Sequence, residues 1–465
     1  VAYLIGIGLL IIGLLVSIAL HEIGHMAPAK RFGVKVPQYF VGFGPTLWST
    51  KRGETEYGIK AIPLGGYVRL AGMYPPERAI TKDDAGAHSH DVDGPTDAST
   101  AATPSHVGSR PDAPADAARR RPESRSAERR SLASEARAEA LADLAPGEEH
   151  RAFYHLSVPK KIVVMLGGPL MNLVIAFVLL SGIIVGYGLP TLTPTVSAVA
   201  ECATDADPCT EPGAAYAAGL RAGDTITSFA GTPITTWQDL PKAVEKNGLQ
   251  PTNITFISDG VEHTARITPQ KREVRIDANT VQERVVISVT AGQERRPGTI
   301  GQAAAMTGTA VTETFKVIGA LPMRLYDVAR SLVTDEPRQD GVMSIIGVGR
   351  IAGEVASSPS DAGGSGGLAG PTWGDRIMSL LSLVASLNIA LFAFNLIPLL
   401  PLDGGHIAGA LFEGARRQIA KLRGAPDPGP VDIARMLPLT YTVFILLIAM
   451  TLLLGYADIV KPITL

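Results

Sequence analysis

The sequence predicts a polytopic α-helical membrane protein with about four transmembrane helices, a membrane-associated β-hairpin and an inserted α/β domain. Three observations predict it. Four apolar segments have the length a bilayer crossing needs: 1–20, roughly 162–186, roughly 377–402 and roughly 437–455. Residues 191–300 between the second and third instead carry short β-like runs and short helical stretches. The first apolar segment, which holds no charged residue, runs straight into His21-Glu22-Ile23-Gly24-His25. The chain has 465 residues, too many for one ordinary domain, and a net charge of −2 that gives no case for nucleic acid.

Taken in order, residues 1–75 hold the first span and two strand-like segments, GFGPTLWS and EYGIKAIPLGGYVRLAGM. The first span lacks the basic start and small-residue cleavage site of a signal peptide, and is read as retained. The strand-like segments form a hairpin that either dips into the membrane beside the first span or sits as an ordinary cytosolic hairpin. Backbone of that kind is tolerated at membrane depth only when buried in protein or lining a wet cavity.

Residues 76–150 are rich in Ala, Asp, Ser, Arg and Pro, with no aromatic residue between Tyr74 and Phe153. They read as a disordered cytoplasmic insert, with a transient Ala-rich helix at 131–143 and little to contribute to a packed site. His88 and His90, near Asp91 and Asp93, invite a second metal site, which a disordered polar tract is not expected to hold.

Residues 151–190 hold the second span. Residues 301–371 read as amphipathic helix on a membrane surface followed by a Gly/Ser-rich linker. Residues 372–465 hold the third and fourth spans. The only cysteines, Cys202 and Cys209, lie in the outer segment, where they form either a disulfide closing a short loop or two free thiols.

Lys and Arg set the expected orientation. Lys30, Arg31, Lys35, Lys51 and Arg52 follow the first span, and Lys160 and Lys161 precede the second. Arg416, Arg417, Lys421, Arg423 and Arg435 lie between the third and fourth. Both basic loops are therefore expected in the cytoplasm, with 191–300 and both termini outside.

H-E-x-x-H on a helix sets two imidazoles on one face, where both can bind one Zn2+, and the Glu between them can accept a proton from a water at the metal. Ionisable residues at membrane depth are costly and read as functional. Two His do not complete a catalytic zinc site, which takes three protein ligands. The third span ends in Asn395-Leu-Ile-Pro398-Leu-Leu-Pro401-Leu402-Asp403-Gly404-Gly405. One span separates it from the first, so the two run parallel, and Asp403 falls at a depth similar to His21. Pro398 and Pro401 would distort the helix and open space for substrate. Asp403 is the expected third ligand. Its bland alternative is a helix cap, and His406 is a rival ligand.

HEIGH at the end of a first span, with N-x-x-P-x-x-P-L-D-G at the end of a third, resembles the site-2 protease family of zinc intramembrane metalloproteases. Gly168-Pro169-Leu170-Met171-Asn172 resembles that family's G-P-x-x-N motif. GLRAGDTITSFAGTPI resembles the PDZ domain that its bacterial regulatory branch inserts between spans two and three. The hairpin segments resemble its membrane-associated β-hairpin. The resemblance covers nearly the whole chain except 76–150. It implies a single Zn2+ on His21, His25 and Asp403, Glu22 as general base, and Asn395 holding the substrate backbone or oxyanion. Asn172 and Pro398 would support the site. It also implies regulated cleavage of single-span substrates, such as anti-sigma factors or remnant signal peptides, in the bacterial cytoplasmic membrane, with the PDZ-like domain extracytoplasmic. The rival readings are a catalytically idle PDZ-bearing membrane adaptor, against which an intact Glu22 argues, and a zinc transporter, which would need more polar residues in spans two and four.

Overall fold

The computed structural model describes residues 1–76, 125–202, 211–275, 281–334, 338, 342–358 and 372–462. Four helices among them are long and apolar enough to cross a membrane: Ala2–Arg31, Val158–Tyr187, Trp373–Asn395 and Leu437–Val460. The chain divides into two compact units, Leu15–Leu173 with Ala390–Ala457, and Val1–Leu14 with Val174–Ile389 and Asp458–Leu465.

In the first of these units, helix one does not stop at the His-Glu-His motif. It continues to Arg31 through Pro28, so the motif lies within the helix and not at its end. Strands β1 (Gln38–Arg52) and β2 (Thr55–Arg69) follow. Each is bent, so residues 38–41 lie opposite both 56–59 and 66–69, while 49–52 lie opposite 55–58. Two strands thus make a small sheet with residues 66–69 at one edge. Leu47 and Trp48 stand exposed on it.

The insert needs correcting. Residues 77–124, with His88, His90, Asp91 and Asp93, lie outside the described residues. Residues 125–150 are not disordered: Arg125–Ala142 is a helix, followed by a short 3-10 turn at Glu149–Arg151. Arg137 pairs with Asp432 at 2.6 Å, both nearly buried. Arg69 pairs with Asp143 at 2.6 Å, and the Gly72 N–H donates to the Ala140 carbonyl at 2.7 Å. Lys35 reaches Glu148, and this hydrogen bond, chiefly, pulls the Glu148 carboxyl down to about 2. The insert closes where it opens, because the N–H groups of Phe153 and Tyr154 donate to the carbonyls of Ala71 and Gly72. Phe153 then joins Ala29, Val34, Val36, Leu70, Val164 and Met165 in a core at the foot of helix one. Composition failed here because ion pairs to residues far along the chain, not local apolar surface, hold this helix.

Helix three ends at Asn395, seven residues short of the expected boundary at 402. Pro398 disfavours helical geometry in the residue before it and cannot donate to the helix ladder. Residues 396–402 form a turn, and a second helix runs Asp403–Leu422. Glycines 404 and 405 are needed because the turn folds back on them: a Cβ on Gly405 would stand 2.6 Å from the Leu400 nitrogen. Lys161, counted among the basic residues before the second span, is buried against Glu413 of that helix at 2.8 Å.

The other unit holds an antiparallel sheet of β3 (Leu189–Val199), β4 (Thr225–Phe229), β5 (Thr232–Pro233), β6 (Thr252–Ser258), β7 (Val261–Ile267) and β10 (Val289–Arg296). Its order is β10-β3-β4-β6-β7, with β5 on β4; β8 (Gln270–Arg275) and β9 (Val281–Val286) pair separately. The helix Asp239–Asn247 packs Leu240, Ala243 and Val244 onto Ile226, Phe229 and Ile254. Cys202 is disulfide-bonded; Cys209, its expected partner, lies outside the described residues.

Residues 301–371 hold three helices, Ile300–Gly319, Leu321–Val333 and Ile345–Ser357, and 359–371 of the expected linker lie outside the described residues. The third helix was not expected. It buries Val348, Ala352 and Ala356 against Leu10, Leu380 and Val384. Asp458 anchors its start, accepting from the N–H and Oγ–H of Ser344, each at 2.6 Å.

Candidate metal centre

Helix one presents His21 and His25 toward helix two because the two helices cross at glycines. A Cβ on Gly24 would fall onto the Gly167 carbonyl, and one on Gly167 onto the Gly24 carbonyl. A Cβ on Gly168 would fall onto His25 Nε2. Val164, Gly167, Gly168 and Asn172 recur at helical spacing, so one face of helix two receives the motif. Small residues at such a crossing let backbones approach closely.

The two imidazoles and Asp403 converge. His21 Nε2 and His25 Nε2 are 3.2 Å apart. Asp403 Oδ2 lies 3.4 Å from the first and 3.3 Å from the second. Ligands about 2.0–2.1 Å from a tetrahedral Zn2+ stand about 3.3–3.4 Å from one another. The three atoms therefore have the spacing of three corners of a zinc tetrahedron. Among the described residues they are the one group of three or more such ligands within 4.8 Å of each other.

The atoms behind the ligands agree. His25 Nδ1 lies 2.8 Å from the Val164 carbonyl. A carbonyl only accepts, so Nδ1 carries the proton and Nε2 offers its lone pair. His21 Nδ1 lies 3.1 Å from Asn172 Nδ2, while the buried Asn172 Oδ1 has no partner. The two ends of an amide are assigned from their hydrogen bonds. Turning the Asn172 amide over gives Oδ1 the Nδ1–H of His21. Both Nε2 atoms then face the centre unprotonated, as a metal requires.

Asp403 opens its helix with Leu402, not itself, at the cap position, and no side-chain cap bond is made there. The alternative role as a cap is thus not the one taken. Burial opposes its charge, but the neighbouring His21 and His25 outweigh burial and hold the carboxyl below the usual carboxylate range. His406, the rival ligand, is not part of the three-residue group. Burial, with His25 nearby, pushes its imidazole below the ordinary range.

Glu22 is 9% exposed, and its charge is felt chiefly by His25, His21 and Asp403. The backbone of Val68 lies beside its carboxylate. Gly66 passes so close that a Cβ there would stand 3.2 Å from Glu22 Cγ. The sheet edge at 66–69 therefore runs alongside the glutamate, a neighbour that the motif alone could not reveal. Asn395 is the last residue of helix three, and Pro398 stands exposed in the turn after it.

Residues 9–426 match the family described as peptidase family M50. The zinc metalloprotease Rip1 of Mycobacterium tuberculosis (strain ATCC 25618 / H37Rv) is 32% identical over 487 residues, covering 100% of this chain and 99% of its own. The zinc metalloprotease Rip1 of Mycolicibacterium smegmatis is 33% identical over 482 residues, covering 99% and 98%.

Proposed function

This chain belongs to peptidase family M50, and from that premise we propose that it cleaves the transmembrane segments of single-span membrane proteins in regulated intramembrane proteolysis. It is a zinc metalloprotease, and zinc is its cofactor. The observation that carries the reading is the convergence of His21 and His25, on a helix apolar enough to cross a membrane, with Asp403, a short turn beyond the end of another.

His21, His25 and Asp403 would hold Zn2+, which would supply a Lewis acid for the scissile carbonyl and the attacking water. Glu22 takes the proton of that water and returns it to the leaving amine nitrogen. Asn172 fixes the His21 ring, and the Val164 carbonyl fixes that of His25. Asn395 holds the substrate carbonyl or oxyanion. A helical substrate hides its carbonyls, so it must open before attack. The sheet edge at 66–69 offers backbone groups to hold the opened chain as an added strand.

The exposed Leu47 and Trp48 face of that sheet rests in the membrane. The β3–β10 unit serves as an extracytoplasmic PDZ-like domain that filters substrates by size or reads their carboxyl ends. Anti-sigma factors and remnant signal peptides are the substrate classes. The basic loops place the metal centre near the cytoplasmic side.

The test uses purified enzyme in detergent with single-span test substrates, and mass spectrometry of the products. The expected product is a cut within the apolar segment, abolished in Glu22→Gln. Cuts confined to soluble flanks would refute the reading.

A further inference from the structure

The helix Asp403–Leu422, which opens with the ligand Asp403, is built inside out. Its charged side chains turn toward protein. Glu413, 3% exposed, pairs with Lys161 at 2.8 Å and with Arg417 at 3.1 Å. Arg417 also pairs with Asp427 at 3.3 Å, and Arg416 donates to the carbonyls of Pro428 and Gly429. Its large apolar side chains turn outward. Leu411, Phe412, Ile419 and Leu422 are 56%, 60%, 49% and 80% exposed. With the exposed Ala415 they recur at helical spacing and fill one sector about 100° wide, which holds no polar residue between 408 and 422. In a soluble protein such a stripe faces the core.

Where the helix lies decides what covers the stripe. A Cβ on Gly409 would stand 3.2 Å from Ile433 Cδ1, and one on Gly414 would stand 3.2 Å from Val158 Cγ1. Ile433 is four residues (437 − 433) before the membrane-crossing helix Leu437–Val460. Val158 is four residues (162 − 158) before the apolar stretch of helix two. Helices two and four, separated by one span, start from the same face of the membrane. The two contacts therefore mark one level, just outside the apolar start of both spans. Gly409 and Gly414 are five residues apart, about 7.5 Å along the axis. A helix running across the membrane would set them at different depths. This one runs along the surface from which helices two and four enter. At its end Lys421 and Arg423 stand exposed, without an ion pair among the described residues.

We propose that Asp403–Leu422 is a membrane-surface helix that seats Leu411, Phe412, Ala415, Ile419 and Leu422 among lipid chains and sets Lys421 and Arg423 on anionic headgroups. Helices of this kind join a wide apolar face to Lys and Arg, and each basic side chain adds attraction to an anionic leaflet. Four large apolar side chains exposed side by side mark a surface that has a partner, and at this level the bilayer is already beside them. The buried Glu413 excludes the opposite arrangement, in which the charged face would meet water and the stripe would meet protein. The helix is thus held on two sides, by Lys161 through Glu413 and by lipid, and its first residue is a metal ligand.

The experiment uses the full-length protein, one chain per lipid nanodisc, in equal parts phosphatidylcholine and phosphatidylglycerol. Spin labels are attached one at a time to Leu411→Cys, Ala415→Cys, Ile419→Cys and Lys421→Cys, without reductant, so that the disulfide at Cys202 stays closed. Labels at 411, 415 and 419 should be reached better by oxygen, which dissolves in lipid, than by a water-soluble nickel chelate. The label at 421 should show the reverse. Preference for nickel at 411, 415 and 419 would mean that the stripe faces water, and protection from both reagents would mean that protein covers it; either result overturns the proposal. A second readout is quenching of a fluorophore at position 419 by brominated phosphatidylglycerol or brominated phosphatidylcholine at the same mole fraction. Quenching should favour phosphatidylglycerol about fivefold, the worth of about one cation at an anionic surface. In Lys421→Gln with Arg423→Gln the ratio should fall to about one. Equal quenching in the wild type, or a ratio that the double variant leaves unchanged, overturns the headgroup contact. Neither readout depends on cleavage, so the protease reading stands or falls separately.

Discussion

At the scale of single residues, the metal centre depends on atoms that are not ligands. Gly168 gives His25 room, since any side chain there would occupy the space of Nε2. Asn172, 1% exposed, faces His21 Nδ1. Partners of this kind are worth about 10–100-fold in metal affinity. Asn172→Leu, similar in volume, should lower zinc affinity by about that factor while leaving the melting temperature near wild type. Competition with a chromophoric chelator measures it. Asn172→Asp discriminates between the two amide orientations: a carboxylate only accepts, so it should retain zinc if Oδ1 faces the Nδ1–H. Affinity as low as in Asn172→Leu would mean that Asn172 donates. Sequence motifs brought out His21, His25 and Asp403 as a candidate ligand set, and the structure brings the three together, because metal chemistry demands a fixed ligand number and spacing. They left open what Asn172 touches, because a contact across 151 residues depends on where two helices cross.

At the scale of elements, apolar length identified the four helices that, among the described residues, are long and apolar enough to cross a membrane, and proline chemistry explains why the third stops early at Asn395. The helix Arg125–Ala142 was half-legible: its alanines were visible, but its anchors were not. Arg137 and Asp432 are 10% and 6% exposed and 295 residues apart. Removing one member of a nearly buried pair leaves the other charge stranded, at a cost of about 3–5 kcal/mol. Arg137→Ala should therefore loosen this helix and open residues 125–150 to limited proteolysis. Arg137→Leu combined with Asp432→Leu should be cut more slowly than the single variant, because no charge is left stranded. Equal resistance of wild type and Arg137→Ala would show that the ion pair does not anchor the helix. The helix Ile345–Ser357 escaped notice because its apolar face meets Leu10, Leu380 and Val384, and its start is held by Asp458 from the far end of the chain.

For the whole molecule, the described residues hold four helices apolar enough to cross a membrane and one cluster of three potential metal ligands. The count of spans and the Lys/Arg bias could be read before any fold was known, since both follow from the cost of moving charge into lipid. Lys161 shows the limit of that reading, because a counted cation turned out to be buried against Glu413. The central claim is that His21, His25 and Asp403 hold the zinc while Glu22 moves the proton. Zinc content measured by mass spectrometry alongside cleavage, in the same preparations of wild type, Glu22→Gln and Asp403→Ala, tests it most directly. Wild type should carry about one zinc per chain, as a three-ligand site demands. Glu22→Gln should keep that zinc and lose cleavage, and Asp403→Ala should lose both. Full zinc occupancy in Asp403→Ala, or substantial cleavage by Glu22→Gln, would contradict the account.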